Sequence, residues 1–303
     1  MATREFTARN SLRRALGAVS PPEEITQEPF EQDGGHLRRL VTLESHEKAR
    51  PDDLFAYMED LRYTEIQTSL FAYLLPVCLE MWRDDLRGFD TRCAGVVEHF
   101  YPVLADVGVF TSQLSPKQTA VVSDFMRQSI IEEIDAQRGL SFSGWQRRPY
   151  DWVRAATTYG VLLPDVERLW NEWWLLSTVG RAVAAVQYIS CLIYPKNENP
   201  VFAPWTRERG GGPPCLWEFE GHLYTNRWLE PNVAFLRKTL NARVVEDVLT
   251  RSAALLIEQP EREIATRVLA DFPLCAETVK ARCAELPKIL ETTQEPGFYR
   301  EWG

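Results

Sequence analysis

The sequence lacks the short motifs that usually identify an enzyme or a metal protein. Its four histidines (His36, His46, His99 and His222) form no HExxH pair and have no second histidine at metal-ligand spacing. The triplet Gly210 to Gly212 is not followed by Lys-Ser or Lys-Thr, and GLSFSG at 139–144 departs from the G-x-S-x-G pattern. The best-characterised zinc, P-loop and serine-nucleophile sites are therefore excluded, and no cofactor and no catalytic residue is predicted.

The chain also lacks a surplus of basic residues. It has 34 Lys and Arg against 43 Asp and Glu, which gives a formal net charge of −9. Broad nucleic-acid binding needs a basic surface that neutralises phosphates, so we expect no nucleic-acid partner. An acidic chain suits a basic protein partner instead.

Cysteine pairs and a secretory signal are absent as well. The six cysteines lie far apart with no CxxC pair, so they are interpreted as reduced, mostly packed thiols. The N-terminal sequence MATREFTARNSLRRALGAV has no apolar run of secretory length, and we expect no signal peptide. These features predict a cytoplasmic protein.

One long apolar stretch does occur, from Pro164 to Tyr194, and it holds three of the ten tryptophans. Its apolar residues recur at helical spacing up to Trp173 and then occupy all sides, which predicts a central helix buried on every side. Its length fits a membrane span too, but Arg181 near the middle would cost roughly 2.5–3.5 kcal/mol in a bilayer. A buried helix is therefore favoured over a membrane span.

Helix signals dominate the rest of the chain. Residues 1–50 are predicted to be an arm, either mobile or docked as a helix, and 51–303 a single helical domain. Pro51 begins one predicted helix, a second runs from about Thr64 to Gly88 with a kink at Pro76, and Ser115-Pro116 begins a third that Gly139 ends. Thr91 is predicted to open another helix, over 92–105.

The C-terminal half contains one irregular region. Residues 196–231 are rich in Pro and Gly and contain CLWEFEGHLYTNRWL, which predicts a β-hairpin about Gly221 and His222. Pro231 is predicted to begin a long helix reaching Leu255, followed by two or three shorter helices separated by Pro260, Pro273 and Pro287. The fold class is therefore predicted to be all-α, a non-repeating helical bundle around the 164–194 helix.

Two helix-forming motifs occur between Tyr63 and Met126, namely LLPVCLEMW and LSPKQTAVVSDFM. In this segment the chain resembles small bacterial domains of unknown function, which pair an aromatic Leu-Pro helix with a Leu-Ser/Thr-Pro-x-Gln helix. The resemblance covers about a fifth of the chain. It implies a bacterial source and no particular activity.

Two groups of carboxylates suggest metal chemistry. Asp84, Asp85 and Asp90 in WRDDLRGFD are similar to the aspartate-rich motif with which all-α terpene synthases hold Mg²⁺ and a diphosphate, although the third acid lies past a predicted helix end and no second metal motif follows. Glu132, Glu133 and Asp135 lack the Glu-x-x-His partners of a di-iron site. A solvated charged surface is the simpler interpretation of both groups, and a Mg-dependent all-α enzyme with a carboxylate-lined central cavity is the alternative function.

The irregular region combines acidic and aromatic side chains, the composition found at protein-binding hot spots. Its predicted partner-binding residues are Trp205, Trp217, Glu218, Glu220, Tyr224 and Trp228. We therefore predict a non-enzymatic protein-binding module that clamps a basic protein partner, as an immunity or antitoxin-like protein would.

Overall fold

The structure is a computed structural model that describes residues 12–17, 20–30, 33–43, 49–86, 112–140, 166–194, 199, 201 and 230–291. Within these ranges the regular structure is helical and no strand occurs, so the predicted all-α class is confirmed. The predicted hairpin and the predicted 92–105 helix lie outside the described residues. The arrangement of all helices as one bundle stays a prediction.

Nine helices of eight or more residues are present in the described ranges. They are α1 (Gly35–Thr42), α2 (Pro51–Tyr63), α3 (Thr68–Leu86), α4 (Pro116–Asp135), α5 (Val166–Trp174), α6 (Val179–Ile193), α7 (Glu230–Thr239), α8 (Ala242–Leu255) and α9 (Arg262–Glu291).

The described residues fall into two compact units, divided within α4 after Ser129. In the first unit α1 packs against α2, and Tyr57, Phe71 and Trp82 are among the fully buried side chains. Residues 12–16 are helical, with Leu12 and Leu16 buried. This part of the N-terminal segment therefore contributes to the core of the first unit, whereas the predicted domain boundary at residue 50 stays a prediction.

Two predicted helix starts in the first unit are confirmed. Helix α2 begins at Pro51, and α4 begins at Pro116 with Ser115 as its cap. Ser115 and Gln118 cap each other, because the Gln118 backbone N–H donates to Ser115 Oγ (3.4 Å) and the Ser115 N–H donates to Gln118 Oε1 (2.9 Å). The end of α4 was predicted wrongly, since the helix ends at Asp135 and Gly139 follows four residues later with φ 80°.

In the second unit, α6 packs against α5, α8 and α9, and α7 packs against α5 and α9. The single helix predicted over 164–194 is wrong, because α5 and α6 are separate helices bent by 108°. The chain turns at Leu176, a non-glycine residue with φ 54°, and Thr178 then caps α6 by accepting the Arg181 N–H (3.2 Å). A capping hydroxyl satisfies one of the free N–H groups at a helix start, so Thr178 begins a new helix although the apolar pattern continues.

The helices predicted near the C-terminus also differ from those observed. The helix expected from Pro231 to Leu255 is interrupted at Asn241, whose side chain caps α8 by accepting the Val244 N–H (3.1 Å). Pro260 does separate two helices, but Pro273 and Pro287 both lie inside the 30-residue helix α9. Proline has no backbone N–H, so one carbonyl a turn earlier in α9 loses its hydrogen-bond donor. Pro273 lies on an exposed face of the helix, where water can bind that carbonyl and the helix continues.

No single helix in the described ranges has the length and apolar composition to cross a membrane. Helices α5 and α6 meet that test only when taken together, across their 108° bend.

Candidate functional site

The predicted partner-binding residues, Trp205, Trp217, Glu218, Glu220, Tyr224 and Trp228, lie outside the described residues. The predicted metal group is only partly described: Asp84 is half-buried in the last turn of α3, Asp85 belongs to the same turn, and Asp90 lies outside. The second carboxylate group is described at the end of α4, where Glu132 is exposed and Glu133 is half-buried.

Asp135, the third member of that group, forms an ion pair with Arg181. The Arg181 Nε and Nη2 atoms donate to the two carboxylate oxygens at 2.7 and 3.0 Å, and Nη1 donates to the Glu172 carbonyl at 2.6 Å. Asp135 also accepts a hydrogen bond from the Thr178 hydroxyl at 2.6 Å. All of these contacts hold the corner between α5 and α6, so Asp135 has a structural position rather than that of a metal ligand.

An aromatic cluster lies against this corner. Trp170, Trp173, Trp174 and Tyr188 are buried, with ring centroids 5.4–6.4 Å apart in tilted and edge-to-face geometries, the arrangement that aromatic quadrupoles favour. The Trp173 indole N–H donates to the Arg181 carbonyl at 3.2 Å. The rings pack against one another, so the cluster fills the core of the second unit.

Two acid–base pairs join α1 to α2 in the first unit. Arg39 donates to both oxygens of the buried Asp53, with Nη2 2.6 Å from Oδ1. The buried imidazole of His36 lies one turn earlier on α1, and its Nε2 atom is 2.7 Å from Asp60 Oδ2. The guanidinium of Arg39 has a raised pKa because Asp53 accepts its hydrogen bonds, which is the sign expected for a cation beside a carboxylate.

Asp60 also orders an exposed aromatic pair. Its Oδ1 atom accepts the Phe30 backbone N–H at 2.8 Å, and the Phe30 ring stacks on Tyr63 with centroids 4.2 Å apart and planes inclined by 21°. The two rings remain 40% and 44% exposed. The guanidinium carbon of Arg62 lies 4.8 Å from the Tyr63 ring centroid, a cation–π contact.

Exposed carboxylates belong to the two chain segments that carry these rings. Gln67, just before α3, accepts the backbone N–H groups of Thr26 (2.8 Å) and Gln27 (3.3 Å) and donates to the Glu24 carbonyl (2.8 Å). These bonds hold the acidic segment 23–30 against the turn between α2 and α3. The exposed residues so brought together are named the Phe30–Tyr63 face and comprise Glu23, Glu24, Glu28, Phe30, Tyr63 and Glu65.

Several titratable groups are buried away from this face. Burial raises the pKa of the Cys78 thiol and of the Tyr57 hydroxyl in the first unit, and it raises the pKa of Cys283 to about 12. Burial also raises the pKa of Tyr194, and so does its hydrogen bond to Asp271 (2.7 Å). A raised pKa keeps thiols and phenols protonated and unreactive, so these groups are core residues. The cysteines described (Cys78, Cys191, Cys275 and Cys283) are free thiols, as predicted.

No group of three or more His, Cys, Asp or Glu side chains is arranged for a metal ion in the part of the chain that the structure describes. No known family, no curated protein and no solved structure matches this chain.

The Phe30–Tyr63 face was not predicted from the sequence. Its two parts are separated by about thirty residues and neither contains a known motif. The usable signal was the run PPEEITQEPF, in which three glutamates lie between prolines and an aromatic residue follows the last proline.

Proposed function

We propose that the chain is a non-enzymatic protein-binding module that clamps a basic protein partner, as an immunity or antitoxin-like protein does. The observation that supports this most directly is the excess of nine acidic residues. Buried charges such as Asp53 and Arg181 are used in ion pairs within the protein, whereas Glu23, Glu24 and Glu28 are exposed. Exposed carboxylates steer and orient a basic partner.

The principal contact in this proposal is made by the acidic and aromatic residues of the 196–231 region, Trp205, Trp217, Glu218, Glu220, Tyr224 and Trp228. Tryptophan and tyrosine are enriched among residues that carry most of the binding energy at interfaces. A location in the bacterial cytoplasm belongs to the same proposal. It is supported by the widely spaced cysteines and by the resemblance of residues 63–126 to bacterial domains.

The test is binding to a basic protein encoded by a neighbouring gene, measured by calorimetry with the full-length chain. We expect Glu218→Ala with Glu220→Ala to weaken binding without lowering the melting temperature. Glu258→Ala, which removes an exposed carboxylate of the second unit, is the matched control and should bind normally. Equal affinity in both variants would count against the predicted contact residues.

The same preparation tests the enzyme alternative. A rise in melting temperature with added Mg²⁺, abolished by Asp84→Asn with Asp85→Asn, would favour a carboxylate-bound metal over the proposed binding role. If Mg²⁺ causes no such shift, the metal site at these two residues is untenable.

A further inference from the structure

We infer that the Phe30–Tyr63 face is a second contact surface, built for an arginine-bearing segment of the partner protein. The inference rests on the proposed function and assigns a second set of residues to the binding of the same partner. Its starting point is the exposure of two large aromatic rings. Phe30 and Tyr63 stack on each other yet remain 40% and 44% exposed.

These rings are held in place before any partner arrives. The Phe30 backbone is bonded to the buried Asp60 carboxylate (2.8 Å), and that carboxylate is in turn 2.7 Å from the His36 ring nitrogen. Gln67 fixes the preceding residues through three further hydrogen bonds. A surface already ordered in the free protein loses less conformational entropy on binding, which is an advantage of a recognition site.

The charge of the face indicates which kind of partner segment it binds. Glu23, Glu24, Glu28 and Glu65 are exposed, and none of them forms an ion pair with another residue that the structure describes. The basic residue Arg62 lies over the Tyr63 ring, so the named residues include four glutamates and this one arginine. The face therefore carries a net negative charge, which repels nucleic acid and anionic lipid and attracts a cationic peptide.

The contact between Arg62 and Tyr63 indicates which cation fits. Here the chain itself places a guanidinium 4.8 Å from the ring centroid. A planar guanidinium stacks on aromatic rings and donates two parallel hydrogen bonds to a carboxylate, whereas a lysine ammonium does neither as well. We therefore expect an arginine of the partner to cover the exposed part of Phe30 and to pair with exposed glutamates of the same face, and lysine is the weaker alternative.

The test uses the full-length chain and three synthetic peptides of equal length, which alternate glycine with arginine, lysine or glutamate. Calorimetry should show the arginine peptide binding most tightly, the lysine peptide more weakly and the glutamate peptide not at all. Phe30→Ala should weaken the arginine peptide about tenfold. Leu274→Ala, which truncates another exposed apolar side chain (87% exposed), is the matched control and should change nothing.

A second variant tests the same face in case Phe30→Ala does not fold. Glu28→Gln with Glu65→Gln alters only exposed side chains, so its melting temperature should equal that of the unmodified chain, and its affinity should fall about fivefold at low salt and less at high salt. The assignment of this face is overturned if neither Phe30→Ala nor Glu28→Gln/Glu65→Gln weakens binding of the arginine peptide. The proposed function still stands in that case if Glu218→Ala/Glu220→Ala weakens binding of the basic protein. If the glutamate peptide binds as well as the arginine peptide, the assignment is also overturned. Failure of both the arginine peptide and the neighbouring basic protein to bind overturns the face and the proposed function together.

Discussion

Arg181 and Asp135 form a two-point ion pair, with Nε 2.7 Å from Oδ1 and Nη2 3.0 Å from Oδ2. Arg181 lies in the most apolar helix described and is nearly buried, its side chain being 9% exposed. A buried guanidinium requires a partner, because transferring an unpaired charge out of water costs several kcal/mol. The pair therefore ties the start of α6 to the end of α4, and it accounts for a charged residue within an apolar run.

Neutralising Asp135 should destabilise the second unit. Asp135→Asn removes the nearer of two carboxylates beside the buried Arg181 and leaves Glu172, whose Oε1 atom is 3.9 Å from Arg181 Nη2. We expect a loss of about 2 kcal/mol in the free energy of unfolding. This is less than the 3–5 kcal/mol of a fully buried pair, because the Asp135 side chain is 32% exposed. Urea unfolding followed by tryptophan fluorescence measures the loss. Asp247→Asn breaks an exposed pair on α8 and should cost less than about 1 kcal/mol, and equal losses would contradict the role of Arg181–Asp135.

Gly180 should not tolerate a methyl group. A Cβ atom at this position would overlap the backbone carbonyl of Asp135, which belongs to a rigid helix and cannot move aside as a flexible side chain could. We expect Gly180→Ala to cost about 2 kcal/mol, the range of overpacked cores. Gly35→Ala is the control, because the added Cβ meets only the side-chain ends of Asp33 and Arg39. A melting temperature for Gly180→Ala equal to that of the control would refute the close approach.

Asp60 should contribute more stability than an exposed carboxylate of the same helix. Asp60→Ala leaves the buried His36 ring nitrogen and the Phe30 N–H without their acceptor, and an unsatisfied buried donor costs about 1–3 kcal/mol. We expect a loss of about 3 kcal/mol, measured by chemical unfolding. Asp52→Ala, whose side chain is 80% exposed, should cost less than about 1 kcal/mol. A smaller loss for Asp60→Ala than for Asp52→Ala would exclude its proposed role in ordering Phe30.

The stability that the buried Cys283 thiol contributes should fall at alkaline pH. Its pKa is raised to about 12 in the folded protein, whereas an unfolded thiol titrates near about 8.5. The stability that this group contributes is complete below pH about 8.5 and is lost as the pH rises toward 12, because only the unfolded chain releases the proton in that window. The advantage of the unmodified chain over Cys283→Ala should therefore shrink by at most about 1.4 kcal/mol per pH unit.

The Cys283 experiment compares urea unfolding of the two proteins from pH 7 up to about pH 11. The raised pKa values of Tyr57, Cys78 and Tyr194 lower the stability of both proteins in the same direction, so the difference between them isolates Cys283. A difference that is constant with pH would show that the thiol is not shielded from solvent.

Much of the fold followed from local chemistry. Pro51 and Ser115-Pro116 start helices because proline and a capping hydroxyl fit the first turn in any surroundings. The prediction of one helix over 164–194 was wrong because the apolar pattern passes through the corner without interruption. The bend is marked by the left-handed φ of Leu176, the Thr178 cap, the ion pair of Arg181 and the close approach at Gly180. The last two depend on Asp135, more than forty residues away in sequence.

The sequence by itself determined the helical class, the acid surplus, the free thiols and the helix starts at Pro51 and Pro116, since each depends on composition or on neighbours within one turn. The tertiary structure alone decided that the 164–194 stretch folds as two helices and that Pro273 and Pro287 lie inside α9. It alone also brought Phe30 onto Tyr63. These features depend on contacts between residues that are distant in the chain. The free energy of such contacts cannot be predicted from the pattern of neighbouring residues.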